Sequence, residues 1–184
     1  MGSVERANRA GFPPGEKVYA LKAKPLLKGV NMAKNKADGL YLDDLAVGDQ
    51  FISREFPLVA EQIKDFARAF DPQPFHLDEA AAARSFFGGL AASGWHTAAI
   101  TMRLMTESIP FADGLIGANV ELSWPRPTRP GDVLRVESTI TAISPSQSKP
   151  DRGIVTLQID TLNQRGEQVQ KLTPKVLVFR RGAR

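Results

Sequence analysis

Two short stretches of this chain carry residue types that could do chemistry. The first is Asp71-Pro72-Gln73-Pro74-Phe75-His76, a carboxylate and an imidazole on a segment stiffened by two prolines. An imidazole changes charge near neutral pH. A partly desolvated carboxylate beside it can orient the ring or share a proton with it, so the pair suits general acid–base work. A plain structural role, with Asp71 capping a helix and His76 packed or at the surface, fits the spacing as well. The second stretch is Phe86-Phe87-Gly88-Gly89-Leu90-Ala91-Ala92-Ser93-Gly94-Trp95-His96-Thr97. Glycines leading into a helix N-terminus leave backbone N–H groups free, with the positive end of the helix dipole behind them. Such a terminus can hold a carbonyl oxygen that gains negative charge during reaction. It can equally be a glycine turn before a core helix. His96 falls in the first turn, where the dipole opposes its protonation, and is expected to be a neutral packing or hydrogen-bonding residue.

The elements that must position these residues follow from periodicity. Gly48-Asp49 marks a turn, and Gln50 to Val59 reads as a first strand that includes Phe51. Ile63, Phe66, Ala67 and Phe70 recur at helical spacing and predict an amphipathic helix, ended at Asp71-Pro72 because proline disfavours helical geometry in the residue before it. Asp78 to Phe87 is alanine-rich and reads as a short helix stopped by Gly88-Gly89. Ser93 is the expected N-cap of a helix running to about Ile109 before Pro110. Trp95, Ala98, Ala99, Met102, Met105 and Ile109 line one face of it, while Ile100 and Leu104 make the other apolar too, the pattern of a buried helix. Alternation then predicts four antiparallel strands, through Ile116–Trp124, Leu134–Ala142, Val155–Ile159 and a last strand ending at Phe179. Asn163-Gln164-Arg165-Gly166 makes the hairpin turn into the last strand, where Pro174 suggests a bulge or an edge. One long buried helix wrapped by a curved antiparallel sheet is an α+β layer architecture, and it matches the hotdog fold.

Composition narrows the function classes. At 184 residues and 42% hydrophobic, the chain has the size of one domain with an ample core. It has no cysteine, which excludes disulfides, cysteine nucleophiles, iron–sulfur clusters and cysteine zinc sites; two histidines exclude a histidine-rich metal site. No apolar run approaches the roughly 18–20 residues of a membrane span. The formal charge of +4 invites a nucleic-acid reading. Residues 1–38, however, hold eight Lys/Arg against three acids, a net of +5, and leave the remainder at −1. The globular part has no basic face with interleaved aromatics, so no nucleic-acid partner is expected. Residues 1–38 read as a basic, poorly ordered N-terminal extension without the apolar core of a secretory signal, and residues 39–184 as the domain. A second reading has the native chain begin at Met32. The expected location is the cytoplasm.

Phe66 to Thr106 resembles the MaoC-like dehydratases, the (R)-specific enoyl-CoA hydratases of the hotdog superfamily. Their signature is Asp-x-Asn-Pro-Leu-His, then an alanine-rich helix, then His-Gly at the start of the central helix. Asp71, Pro74 and His76 stand in register, and Gly94 falls at the family's distance without a gap. The likeness extends more loosely over residues 39–181, including Trp124-Pro125-Arg126-Pro127 and Arg129-Pro130-Gly131-Asp132. The chain departs from the pattern at Gln73 for the family Asn, Ser93 for the family His, Met102 for a serine found in some members, and Phe70 for the usual Gly.

The resemblance implies reversible syn addition of water to a trans-2-enoyl-CoA. Asp71 and His76 would hold the water and exchange protons at C3 and C2, while Gly94 N–H would polarise the thioester carbonyl. Gln73 and Ser93 would shape the surroundings of the pair, and Phe75 and Trp95 would line the acyl tunnel or serve as core aromatics. The chemistry needs no metal or bound redox cofactor. The implied partners are an acyl-CoA and a second copy of the chain, as a homodimer or dimer of dimers. Arg84, Lys149 and Arg152 are candidates for the CoA phosphates. A hotdog thioesterase would want a carboxylate on the central helix, and the one acidic residue there, Glu107, lies near its far end. The remaining alternative is a non-catalytic acyl-CoA-binding module or structural subunit, a reading that Gln73 and Ser93 feed.

Overall fold

The computed structural model describes residues 38–183, so the basic extension expected over residues 1–38 lies almost wholly outside the described residues. The elements in chain order are β1 (Gln50–Ile52), β2 (Phe56–Pro57), α1 (Ala60–Phe70), α2 (Pro74–Leu77), α3 (Glu79–Ala83), α4 (Gly94–Ser108), β3 (Ile116–Ser123), β4 (Val133–Pro145), β5 (Arg152–Leu162) and β6 (Gln168–Phe179). The strands form one antiparallel sheet in the order β1-β4-β5-β6-β3, with β2 paired to the start of β4. The sheet wraps α4, as the α+β hotdog reading requires.

Helix α4 begins where expected, with Ser93 Oγ accepting the Trp95 N–H at 3.2 Å. It buries Ile100, Leu104 and Met105 in the same core as Val136, Ile140, Leu157 and Ile159 of the sheet. Each large aliphatic side chain so buried contributes about 1.5–3 kcal/mol. The helix is not buried all round, however: Trp95 is 63% exposed and Met102 47%. Only one strip of α4 meets the sheet, and its remaining apolar side faces outward beside the edge strand β3, whose Ile116 and Val120 are exposed as well.

Three further expectations change. The single strand over Gln50–Val59 is two short ones, because Ser53 puts its hydroxyl in the ladder: Oγ accepts the Val136 N–H at 2.9 Å in place of a main-chain oxygen. Phe70 is 75% exposed, since α1 buries only the Ile63 and Ala67 side and Phe70 leans on Phe66 instead, its ring tilted 46° to that one. Pro174 marks neither an edge nor a bulge. It sits in β6, an interior strand, opposite Val120 of β3, while pairing with β5 lapses at Thr173 and Pro174. A residue without an N–H leaves a gap in the ladder there.

Candidate active site

Asp71 closes α1. Its N–H still donates to the Ala67 carbonyl at 3.0 Å, but φ −151° and ψ 69° take the chain out of the helix. Pro72 enforces that exit, which leaves the carboxylate at the helix end rather than on its flank. Pro74 then opens α2 in the first turn, where a missing N–H costs nothing. This one-turn helix was not foreseen from the sequence, and it carries His76 inward to 4% exposure. His76 Nε2 lies 3.4 Å from Asp71 Oδ2. On the other side of the ring, Nδ1 lies 2.7 Å from the Ala91 carbonyl oxygen. A carbonyl only accepts, so the hydrogen is assigned to Nδ1, and Nε2 is the nitrogen left to gain or lose a proton.

The surroundings of Asp71 hold it ionised. Burial opposes ionisation more than any other single influence acts on it. Hydrogen bonds from Ser93 and Gln73, together with the facing His76, outweigh that opposition and lower its pKa below the ordinary carboxylate value. The Gln73 amide donates to Oδ1 at 2.7 Å. Two of the four departures from the family pattern, Gln73 and Ser93, therefore grip the carboxylate. The extra methylene of Gln73 still reaches it, and the buried Ser93 hydroxyl serves Asp71 while capping α4. That double duty ties the carboxylate to the start of the central helix.

Gly94 is the first residue of α4, and among the described residues its N–H has no hydrogen-bond partner. A Cβ at this position would fall 2.7–2.9 Å from the Trp124 indole, so only glycine lets the ring lie against the helix start. Trp124 is held in turn: its Nε1–H donates to Gln170 Oε1 at 2.9 Å, and Gln170 Nε2 donates to Thr101 Oγ1 at 2.9 Å. Thr101 and Thr161 hydroxyls lie 2.7 Å apart and finish the chain. Gln170, Thr101 and Thr161 are all fully buried, so the network ties the helix to the sheet from inside. The role of Gln170 is invisible in sequence, where it is one more polar residue on a strand.

Phe75 and Trp95 part company. Phe75 is half-buried, edge-on to His76 with ring centres 4.6 Å apart and against Phe87 at 5.0 Å, a wall of the Asp71–His76 site. Trp95 instead packs edge-on to Trp124 and lines an apolar cleft of about 430 Å³ with Ala98, Met102, Val120 and Leu172. None of Asp71, Gln73, His76 or Ser93 lines that cleft. His96 is a packing residue, stacked on Phe66 with centres 4.6 Å apart, and burial lowers its pKa. Glu107 is bound by Arg54 and Arg103 at the exposed end of α4, which leaves it no role beside Gly94. Arg152 pairs with Asp151 and lies over Phe179, while Lys149 and Arg84 are exposed. Among the described residues no three His, Asp or Glu side chains gather as metal ligands would, and no helix is long and apolar enough to cross a membrane.

The family model described as "MaoC like domain" matches residues 45–161, which include Asp71, His76 and Gly94. The chain belongs to the MaoC-like domain family. A MaoC-like dehydratase of solved structure from Rhodospirillum rubrum is 67% identical, with a TM-score of 0.77 over 78% of this chain and 99% of that one. The uncharacterized protein YdeM of Bacillus subtilis is 32% identical over 142 residues, 76% of this chain and 99% of its own length. A 3-hydroxybutyryl-CoA dehydratase of Methylorubrum extorquens is 29% identical over 112 residues, 60% of this chain and 69% of its own. Solved (R)-hydratases share the fold as well. Members of the MaoC-like family thus include hydratases and dehydratases, on the hotdog fold that the sheet and α4 form here.

Proposed function

We propose that the protein catalyses reversible hydration of trans-2-enoyl-CoA to (R)-3-hydroxyacyl-CoA. The observation that carries this reading is the Asp71–His76 pair: an ionised carboxylate faces the one imidazole nitrogen that is free to exchange protons. A water between them loses one proton to Asp71 as its oxygen bonds to C3. The electrons of the C2–C3 double bond move toward the thioester, whose oxygen gains charge beside the Gly94 N–H. His76, protonated on Nε2, gives a proton to C2, and the proton on Asp71 then passes to Nε2 and resets the pair. One water enters, leaving OH on C3 and H on C2. An N–H fixed on a helix dipole stabilises the enolate charge without reorganising.

The proposed reaction takes only the CoA thioester and one water as reactants, with acid–base groups and an oxyanion donor supplied by the protein. The exposed apolar side of α4 and the open edge of β3 support pairing with a second copy, as a homodimer or dimer of dimers whose joint walls hold the acyl chain. We place its action in the cytoplasm. A non-catalytic binding module has no observation in its favour, because Gln73 and Ser93, the residues that suggested it, both stabilise the Asp71 carboxylate. The test is incubation with crotonyl-CoA and a panel of longer enoyl-CoA esters, following loss of the conjugated enoyl-thioester absorbance. Turnover supports the reading; tight CoA-ester binding with no turnover on any ester overturns it.

A further inference from the structure

The segment between β3 and β4 holds a cation with unusual company. Arg129 is half-buried, and its guanidinium donates to three main-chain carbonyls: Nη1 to Gly89 at 2.7 Å and Leu90 at 3.2 Å, Nη2 to Phe87 at 2.5 Å. Among the described residues no carboxylate lies within ion-pairing distance of it. Its own backbone is fixed, since the Arg129 N–H donates to the buried Asp132 carboxylate at 2.7 Å, and the neighbouring Thr128 carbonyl accepts the Ala92 N–H at 2.9 Å. The loop it grips is the one that ends in Ala91, whose carbonyl holds His76 Nδ1. The same loop supplies Phe87, packed against Phe75 and 6.2 Å from the His76 ring. A guanidinium presents five donors in a rigid fork and can span three carbonyls that an ammonium cannot.

We propose that Arg129 is a positioning residue: by fixing the Phe87, Gly89 and Leu90 carbonyls it keeps the Ala91 carbonyl on His76 Nδ1, and so keeps proton exchange on Nε2, the nitrogen beside Asp71. The inference rests on the hydratase reading for its catalytic consequence, but its structural half does not. In both charge states of the ring the Nδ1–H stays donated to the Ala91 carbonyl. If the loop loosens, the neutral ring can put its hydrogen on Nε2 instead. That tautomer cannot take a proton from the Asp71 side.

The chain has two histidines, His76 and His96, so ¹⁵N-imidazole spectra of the labelled full-length protein contain two spin systems, and His96→Phe identifies them. With the ring neutral, the wild type is expected as the Nδ1–H tautomer. In Arg129→Met the Nε2–H form is expected to rise from under about a tenth to about a third or more of the population. Arg129→Lys should fall between the two, because it keeps the charge and loses the fork. With an enoyl-CoA, kcat should fall about 10–100-fold in Arg129→Met with a smaller change in KM. If both variants keep the His76 Nδ1–H tautomer while the His96 signals stay native, Arg129 merely stiffens a loop and the proposal fails. It fails too if the wild-type ring already carries its hydrogen on Nε2. If Arg129→Met does not fold, Arg129→Lys alone decides. Because the spectra need no substrate, a wild type without turnover whose tautomer still depends on Arg129 would overturn the hydratase reading and leave the positioning role standing.

Discussion

Two regions meet at the first turn of α4 and are built on different physics. Toward Asp71, both members of the pair are held by polar contacts: Gln73 and Ser93 grip the carboxylate, Ala91 grips His76, and the Ser93 hydroxyl links the pair to the helix start. Toward Trp95, apolar side chains stand open to solvent, with Met102, Val120 and Trp124 among them. The contacts of the first region are all made by residues of one chain. The second has the look of half a wall. On the proposed hydratase reading, proton chemistry and the grip on an acyl chain would have separate structural sources, so substitutions should divide into those that stop turnover and those that alter substrate hold or assembly.

The sharpest way to break that division is at the pair itself. Asp71→Asn and His76→Ala should each lower kcat about 10²–10⁴-fold on crotonyl-CoA while the chain stays folded and still binds CoA esters. Full activity in both would end the assignment of the site. Next in size is Gly94→Ala, whose new methyl lands on the Trp124 ring. A stability loss of about 1–3 kcal/mol by denaturant titration is expected, together with a drop in kcat as the helix start shifts. Trp124→Ala in the same chain should return part of the stability without restoring the rate.

On the apolar side, Met102→Glu should leave the Asp71–His76 geometry intact yet weaken self-association on the order of tenfold or more, read by sedimentation, and raise KM before it lowers kcat. A smaller effect is expected from Gln73→Ala. Asp71 is held below the ordinary carboxylate value, so the acid limb of kcat/KM should lie below that value in the wild type and move up toward it when one of the hydrogen bonds is lost. The stability that Asp71 contributes is present above its unfolded-state pKa and lost as pH falls through the lower folded value.

The smallest effect concerns His96. Burial favours its neutral form in the fold, so the unfolded chain takes up the proton first and stability falls as pH drops below about 6.5, the ordinary value for histidine. His96→Phe, which can keep the stack on Phe66, should flatten that fall in denaturant titrations above and below this pH.

Much of this was legible in the residues. Helical spacing located α1 and α4, Ser93 announced the cap, Pro72 and Pro74 framed Asp71 and His76, and Asn163–Gly166 made its turn, with the Gly166 N–H on the Asn163 carbonyl at 2.9 Å. What stayed hidden depends on partners distant in sequence. The break after Ile52 arises when Ser53 meets Val136, and the exposure of Trp95 depends on how much of α4 one sheet can cover. The grip of Arg129 on the loop before Ala91 leaves no mark in the acceptors, because any residue offers a carbonyl. For the same reason Gln73 and Ser93 looked like losses against the family pattern, although each keeps a hydrogen bond to Asp71 by another route.

The central claim is that the Asp71–His76 pair adds one water across an enoyl-CoA. The most direct test is to hydrate crotonyl-CoA in D₂O with the wild-type protein and determine the configuration and deuterium content of the product. The expected result is (R)-3-hydroxybutyryl-CoA with a single deuterium at C2, on the face that received the hydroxyl. An (S) product, deuterium on the opposite face, or bound but unchanged crotonyl-CoA would contradict it.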